Sequence, residues 1–192
     1  MKAFTLAIEA YQPFNEQEAK DKQLFLEQLA SNPKFFTRES ALAHVSVSAW
    51  IVSPNRQQVL MAYHNLYQSW AWLGGHADGE TDLKKVILRE IAEESGLTDS
   101  HFLSEELFSI EILTVDGHQK RGSYVPSHLH FNCTYLLEAD PKLPLRIQPS
   151  ENSQIGWLAV QELPEKVSED WIQKNIYQKL IAKVKRDFAL PE

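Results

Sequence analysis

Three carboxylates, Glu90, Glu93 and Glu94, stand at positions i, i+3 and i+4 of one stretch. On a helix that spacing gathers them over about one turn, where they repel one another. They would also lie near the helix C-terminus, where the macrodipole disfavours negative charge. A cation relieves both problems, and hard oxygen donors suit Mg²⁺ or Mn²⁺. Arg89 stands four residues before Glu93 and can pair with it. Upstream, Gly74 and Gly75 follow an apolar run. They let the backbone approach a ligand, where a carbonyl can join a metal shell. A glycine turn followed by an acidic helix face suits metal-assisted attack of water on phosphorus. Three glutamates alone are more simply a solvated helix face. The residues around them change that balance.

Gly74-Gly75-His76-Ala77-Asp78-Gly79-Glu80, followed by Arg89-Glu90-Ile91-Ala92-Glu93-Glu94-Ser95-Gly96-Leu97, resembles the Nudix box of the MutT-like Nudix hydrolase superfamily. The second half fits the family pattern at every specified position. The first half departs from it. The family usually places a glutamate six residues after the second glycine, where this chain has Thr81, and Glu80 comes one residue early. The turn entering the helix is therefore altered.

The resemblance implies roles. Glu90 and Glu94 would bind metal, with Glu93 as a further ligand and the Gly74 carbonyl as another. Arg89 would orient the glutamates, while Gly75 and Glu80 would order the loop. The implied catalytic set is Glu90, Glu93, Arg89 and Glu151, with Glu90 and Glu151 the two candidates for general base. The implied reaction is metal-dependent cleavage of a phosphoanhydride bond in a nucleoside diphosphate linked to another moiety, with Mg²⁺ or Mn²⁺ as cofactor. The proline or tyrosine that marks some Nudix subgroups after the box is missing from the stretch Thr98 to Gly117, so the substrate stays open.

Elements must hold these residues in place. Asp82 to Ser95 reads as a helix with Leu83, Val86, Ile87 and Ile91 on one stripe, Thr81 or Asp82 at its start and Gly96 just past its end. Val45, Val47, Ala49 and Ile51 alternate with Ser46, Ser48 and Trp50 as in a strand, and Gln58 to Tyr63 reads as its hairpin return. Leu107–Val115, Leu129–Leu137 and Ile155–Leu158 read as further strands. Asn15 to Ala30 reads as a helix, and Ser168 to Phe188 as a long one with Trp171, Ile172, Ile176, Leu180 and Val184 inward. This order predicts an α/β fold, and the resemblance makes it a Nudix-type α/β/α sandwich with a mixed β-sheet. Residues 1–40 read as a helical extension packed on a Nudix domain spanning 41–192.

Weaker signals lie outside the box. His76 follows the glycines and is placed to reach a phosphate or to cap backbone. His128 and His130 alternate, so they share one sheet face, with His118 nearby. Such a pair can bind zinc, but no third ligand has convincing spacing, and a pocket wall is the simpler account. His76, His128, His130 and Arg121 are the candidate substrate contacts. Trp50, Trp70, Trp72 and Tyr124 are more simply buried anchors than base-stacking platforms.

The 192 residues bear a net charge of −7, which argues against a binder of long nucleic acid. It does not exclude a small phosphate ligand, because a bound cation can invert the local field. No apolar run approaches the roughly 18 residues of a membrane span. The apolar stretch at residues 3–8 is too short for a signal peptide. Cys133 is the single cysteine, as fits a reducing cytoplasm. The expected partner is a nucleotide-type diphosphate. The helix at 15–30 or the C-terminal helix is available for pairing in a homodimer. A non-catalytic nucleotide-sensing module is the alternative. An isoprenoid-diphosphate isomerase ranks below both, because Cys133 lies far from the glycine turn.

Overall fold

The computed structural model describes residues 1–120 and 122–189. Two helices precede the first strand, α1 (Lys2–Ala10) and α2 (Glu16–Ser31). The Asn15 side chain caps α2 by accepting the Glu18 amide proton at 3.0 Å. Only α2 was legible in the sequence, since α1 is too short to display a helical period. Four strands follow: β1 (Ala43–Val52), β2 (Gln58–His64), β3 (Ser69–Ala71) and β4 (Leu73–His76). Next comes α3 (Leu83–Ser95), which ends at Gly96 with φ 70°, the left-handed cap that glycine adopts most readily. After it run β5 (His101–Phe102), β6 (Ser109–Val115), β7 (His118–Lys120), β8 (Ser123–Val125), β9 (His128–Glu138) and β10 (Asn152–Ala159). The chain closes with α4 (Leu163–Lys166), α5 (Asp170–Ile172) and α6 (Gln178–Asp187).

The main sheet runs β10-β2-β1-β9-β5, with β3 on β2, β4 on β1 and β6 on β9. It is mixed. β1 and β9 pair in parallel from Ala43 opposite Leu129 to Val52 opposite Glu138, and the other pairs are antiparallel. β2 and β4 share one edge of β1, β2 meeting its end and β4 its beginning.

Helices cover both faces. Val45, Val47, Ala49 and Ile51 of β1 and Phe131, Cys133 and Leu137 of β9 join one core with Leu83, Val86, Ile87 and Ile91 of α3 and Phe25 of α2. Trp50, Val52 and Leu136, on the alternate face, join Ile176, Tyr177, Leu180 and Val184 in a second core. β1 is therefore buried along its whole length, not on alternate residues. Its second half is covered by helices on both faces, and a strand so placed has no solvated side.

The long C-terminal helix expected over 168–188 is not uniform. A π-turn at Gln173–Tyr177 separates α5 from α6. The wider turn changes the angular phase between its two sides. Ile176, Leu180 and Val184 face inward as expected, but Trp171 is 53% exposed.

A buried ionic cluster ties the N- and C-terminal helices to the sheet. Glu18 of α2 meets Lys183 at 2.9 Å and Lys179 at 3.2 Å, and Lys179 meets Glu111 of β6 at 3.0 Å. All four side chains are nearly inaccessible. Tyr11 donates its hydroxyl proton to Glu18 at 2.6 Å. Burial opposes ionisation of Glu18, but Lys179, Lys183 and hydrogen bonds from Tyr11 and the Phe14 amide together outweigh it and hold the carboxyl below its ordinary range. The network continues as Asn132 donates to Glu111 at 3.0 Å and accepts protons from Ser48 at 2.9 Å and Ser46 at 3.1 Å. Among the described residues no helix is long and apolar enough to cross a membrane.

Candidate active site

The polar halves of two strands define the site. Along β1 the even residues change from Trp50 and Val52 in the second core to His44, Ser46 and Ser48, and along β9 Leu136 gives way to Asn132, His130 and His128. The parallel register sets His44 beside His130 and Ser46 beside Asn132. These residues line a cleft of about 820 Å³, which Gly74, Gly75, His76, Arg89, Glu90, Glu93, Glu94 and Glu151 also line.

Each glycine of the turn has a steric reason. A Cβ on Gly74 would fall 2.3 Å from the Val47 carbonyl oxygen across the β1–β4 ladder. A Cβ on Gly75 would fall 2.5 Å from the carboxyl carbon of Glu90. The two close contacts predict different outcomes. Gly74→Ala must move backbone and should cost about 1–3 kcal/mol in a denaturant titration. Gly75→Ala needs only a side chain to swing aside. It should leave stability nearly unchanged but reduce kcat/KM, by up to about 100-fold if Glu90 must be accurately placed.

Glu94 is the most deeply set of the box carboxylates, at 7% exposure. The Gly74 amide donates to its Oε2 at 3.1 Å. Burial pushes its carboxyl well above the ordinary range, the Gly74 amide pulls the other way, and Glu151 and Glu90 push it further up. Burial also raises Glu90, against the pull of Arg89, while Glu93 and Glu151 add to the rise. Arg89 donates to Glu90 at 2.8 Å and stands 3.9 Å from Glu93. The sequence suggested Glu93 as its partner, and the structure places Glu90 closer. Glu93 itself is mostly exposed at the rim.

The altered turn is ordered from within. Glu80 accepts amide protons from Asp82 at 2.9 Å and Thr81 at 2.8 Å, and these bonds hold its carboxyl below the ordinary range. Neither Thr81 nor Asp82 provides the expected side-chain cap. Asp82 is the N-cap residue but makes no capping bond. Asp78, at φ 47°, instead pairs with Arg38 through two 2.7 Å hydrogen bonds.

His76, His128 and His130 come together at one end of the site, joined by His44, which sequence reasoning missed. The signal that could have found it is the parity of β1, since His44 shares the polar face of Ser46 and Ser48. Arg121 lies outside the described residues. Trp50 is fully buried against Tyr177, Trp72 lines the cleft, and Tyr124 is exposed.

A family model described as the NUDIX domain matches residues 42–180. No curated protein matches the chain. Among solved structures, the NUDIX domain of Shewanella oneidensis NrtR complexed with ADP ribose is 17% identical, with a TM-score of 0.52, over 85% of this chain and 97% of that one. The E. coli dihydroneopterin triphosphate pyrophosphohydrolase is 14% identical, with a TM-score of 0.52, over 72% and 95%. A C. elegans Ap4A hydrolase binary complex is 13% identical, with a TM-score of 0.50, over 74% and 95%. At these identities the likeness is one of fold.

Proposed function

We propose a function for this chain from the premise its family supplies: it belongs to the Nudix family of hydrolases. It is a pyrophosphohydrolase whose substrate, in our reading, is a nucleoside diphosphate linked to another moiety. The observation that carries this reading is Glu94, a buried carboxylate flanked by Glu90 and Glu151.

Nudix hydrolases generally use divalent cations, and the residues here fit one. Burial and mutual repulsion disfavour ionisation of Glu90 and Glu94, which a cation reverses. Every donor is a hard oxygen, as Mg²⁺ or Mn²⁺ requires. Glu90 and Glu94 would hold the ion, with Glu93 at the rim as a further ligand. In a strand the amide and carbonyl of one residue point the same way. The Gly74 amide faces Glu94, so the Gly74 carbonyl is the fitting backbone donor. When bound, the ion offsets charge on the diphosphate and acidifies the attacking water.

The chain's own residues do the rest. Arg89 fixes the Glu90 carboxylate, and the absent side chain at Gly75 leaves it room. Glu80 holds the turn through its two amide bonds. Glu90 and Glu151, the second of which abuts Glu94, are our two alternatives for the group that takes a proton from water.

The test is a substrate panel with Mg²⁺ or Mn²⁺ and with chelator. It includes ADP ribose and dinucleoside polyphosphates. Metal-dependent release of mononucleotide is expected. Turnover of no diphosphate would refute the reading, and tight nucleotide binding without turnover would favour a sensing role.

A further inference from the structure

Four histidines from three strands meet at one point of the cleft. His44 opens β1, His76 ends β4, and His128 and His130 open β9. One ring nitrogen from each of His44, His76 and His130 lies within 4.8 Å of the others. The Nε2 atoms of His76 and His130 are hydrogen-bonded at 3.2 Å and those of His128 and His130 at 3.1 Å, contacts in which a shared proton stands where an ion would. Zn–N bonds of 2.0–2.1 Å arranged tetrahedrally separate ligand nitrogens by about 3.3 Å.

Hydrogen bonds fix which nitrogens are bare. His44 Nδ1 lies 3.1 Å from the Ser40 carbonyl oxygen, and His128 Nδ1 lies 2.8 Å from that of Pro126. A carbonyl only accepts, so each Nδ1 donates a proton, which leaves Nε2 as the nitrogen turned to the cluster. This is the backbone support that metal-binding imidazoles usually have. His44 is 4% exposed, and its Nε2 has no hydrogen-bond partner. A role in substrate contact or polar packing leaves that buried nitrogen unexplained.

We propose that His44, His76 and His130 bind a transition-metal ion, Zn²⁺ first among them, in a site separate from the carboxylates. Imidazole donors select such an ion over Mg²⁺. His76 and His130 are partly exposed, so the fourth position opens into the cleft. His128 stands beside it, its Nε2 3.1 Å from that of His130. Three neutral imidazoles leave the ion its full positive charge, unlike a carboxylate site, and that charge suits an anionic end of a ligand. The inference does not depend on which diphosphate is cleaved.

The test strips the full chain with chelator and titrates it with Co²⁺ and Zn²⁺ separately. One equivalent of Co²⁺ should give the intense visible absorption of a four-coordinate nitrogen site. His76→Ala and His130→Ala, at partly exposed positions, should lose that spectrum while keeping the parent's circular dichroism. Their Zn²⁺ affinity should fall by more than the about 10–100-fold that losing an outer-sphere partner costs. Glu94→Gln should keep the Co²⁺ spectrum, so this site and the carboxylate site are judged apart. Folded His76→Ala and His130→Ala that bind Zn²⁺ as the parent does would overturn the proposal. So would loss of all Co²⁺ uptake in Glu94→Gln.

Discussion

Glu94→Gln should lower kcat/KM on the order of 10²–10³-fold at saturating Mg²⁺, the range lost when one preorganised charge-stabilising group is removed. The substitution isolates charge from shape. Glutamine fills the same space, and its amide oxygen can still accept from the Gly74 amide, so the β4–α3 contact survives. It also removes a buried carboxylate whose ionisation burial disfavours, so the variant should be at least as stable as the parent. Glu93→Gln, at the exposed rim, should lose less. Steady-state kinetics with a denaturant titration check both statements. Equal activity of parent and Glu94→Gln would remove the carboxylates from the reaction.

That prediction rests on a helix the sequence displayed openly. The apolar stripe of Leu83, Val86, Ile87 and Ile91 fixed which side of α3 is buried. The spacing of Glu90, Glu93 and Glu94 put carboxylates on the remaining face. What spacing could not reveal was depth. Glu93 and Glu94 are neighbours in sequence, yet Glu94 turns beneath β4 while Glu93 reaches solvent. The histidine cluster was hidden for a related reason. His128 and His130 announced their shared face, but His44 and His76 join them only through parallel pairing of β1 with β9 and the antiparallel seat of β4. Pairing between residues 86 apart in sequence leaves no local trace. The π-turn at Gln173–Tyr177 likewise gave no periodic warning, so the facing of Trp171 was misread.

Glu18→Leu should have the largest effect on stability, a loss of about 3–5 kcal/mol in urea unfolding. It strands Lys183, whose carboxylate partner is Glu18, among Tyr11, Phe14 and Phe108. Replacing Lys183 by Met in the same chain should recover part of the loss, because no charge is then left unpaired there. The acid limb of the stability curve should change as well. The folded state holds the Glu18 carboxyl below its ordinary range. Its contribution is present above the ordinary glutamate pKa and is lost as pH falls through the lowered value. The parent should therefore weaken on acidification through that window, and Glu18→Leu should weaken less. Unfolding midpoints across a pH series, in parent and variant, read this directly. An unchanged midpoint at neutral pH would show that the cluster contributes no net stability.

The same cluster separates two borders that are easily confused. The family match stops short of Glu18 on one side and Lys183 on the other. Yet those two residues hold each other, and their partners Lys179 and Glu111 pass the contact through Asn132 to Ser46 and Ser48 in the cleft floor. A fragment cut at residues 42 and 180 keeps every box residue but loses Glu18, Lys183 and the aromatic packing of Phe25 on Phe131. Family likeness and buried contact thus divide this chain at different places: the matched stretch carries the box, while the ionic cluster reaches past it on both sides.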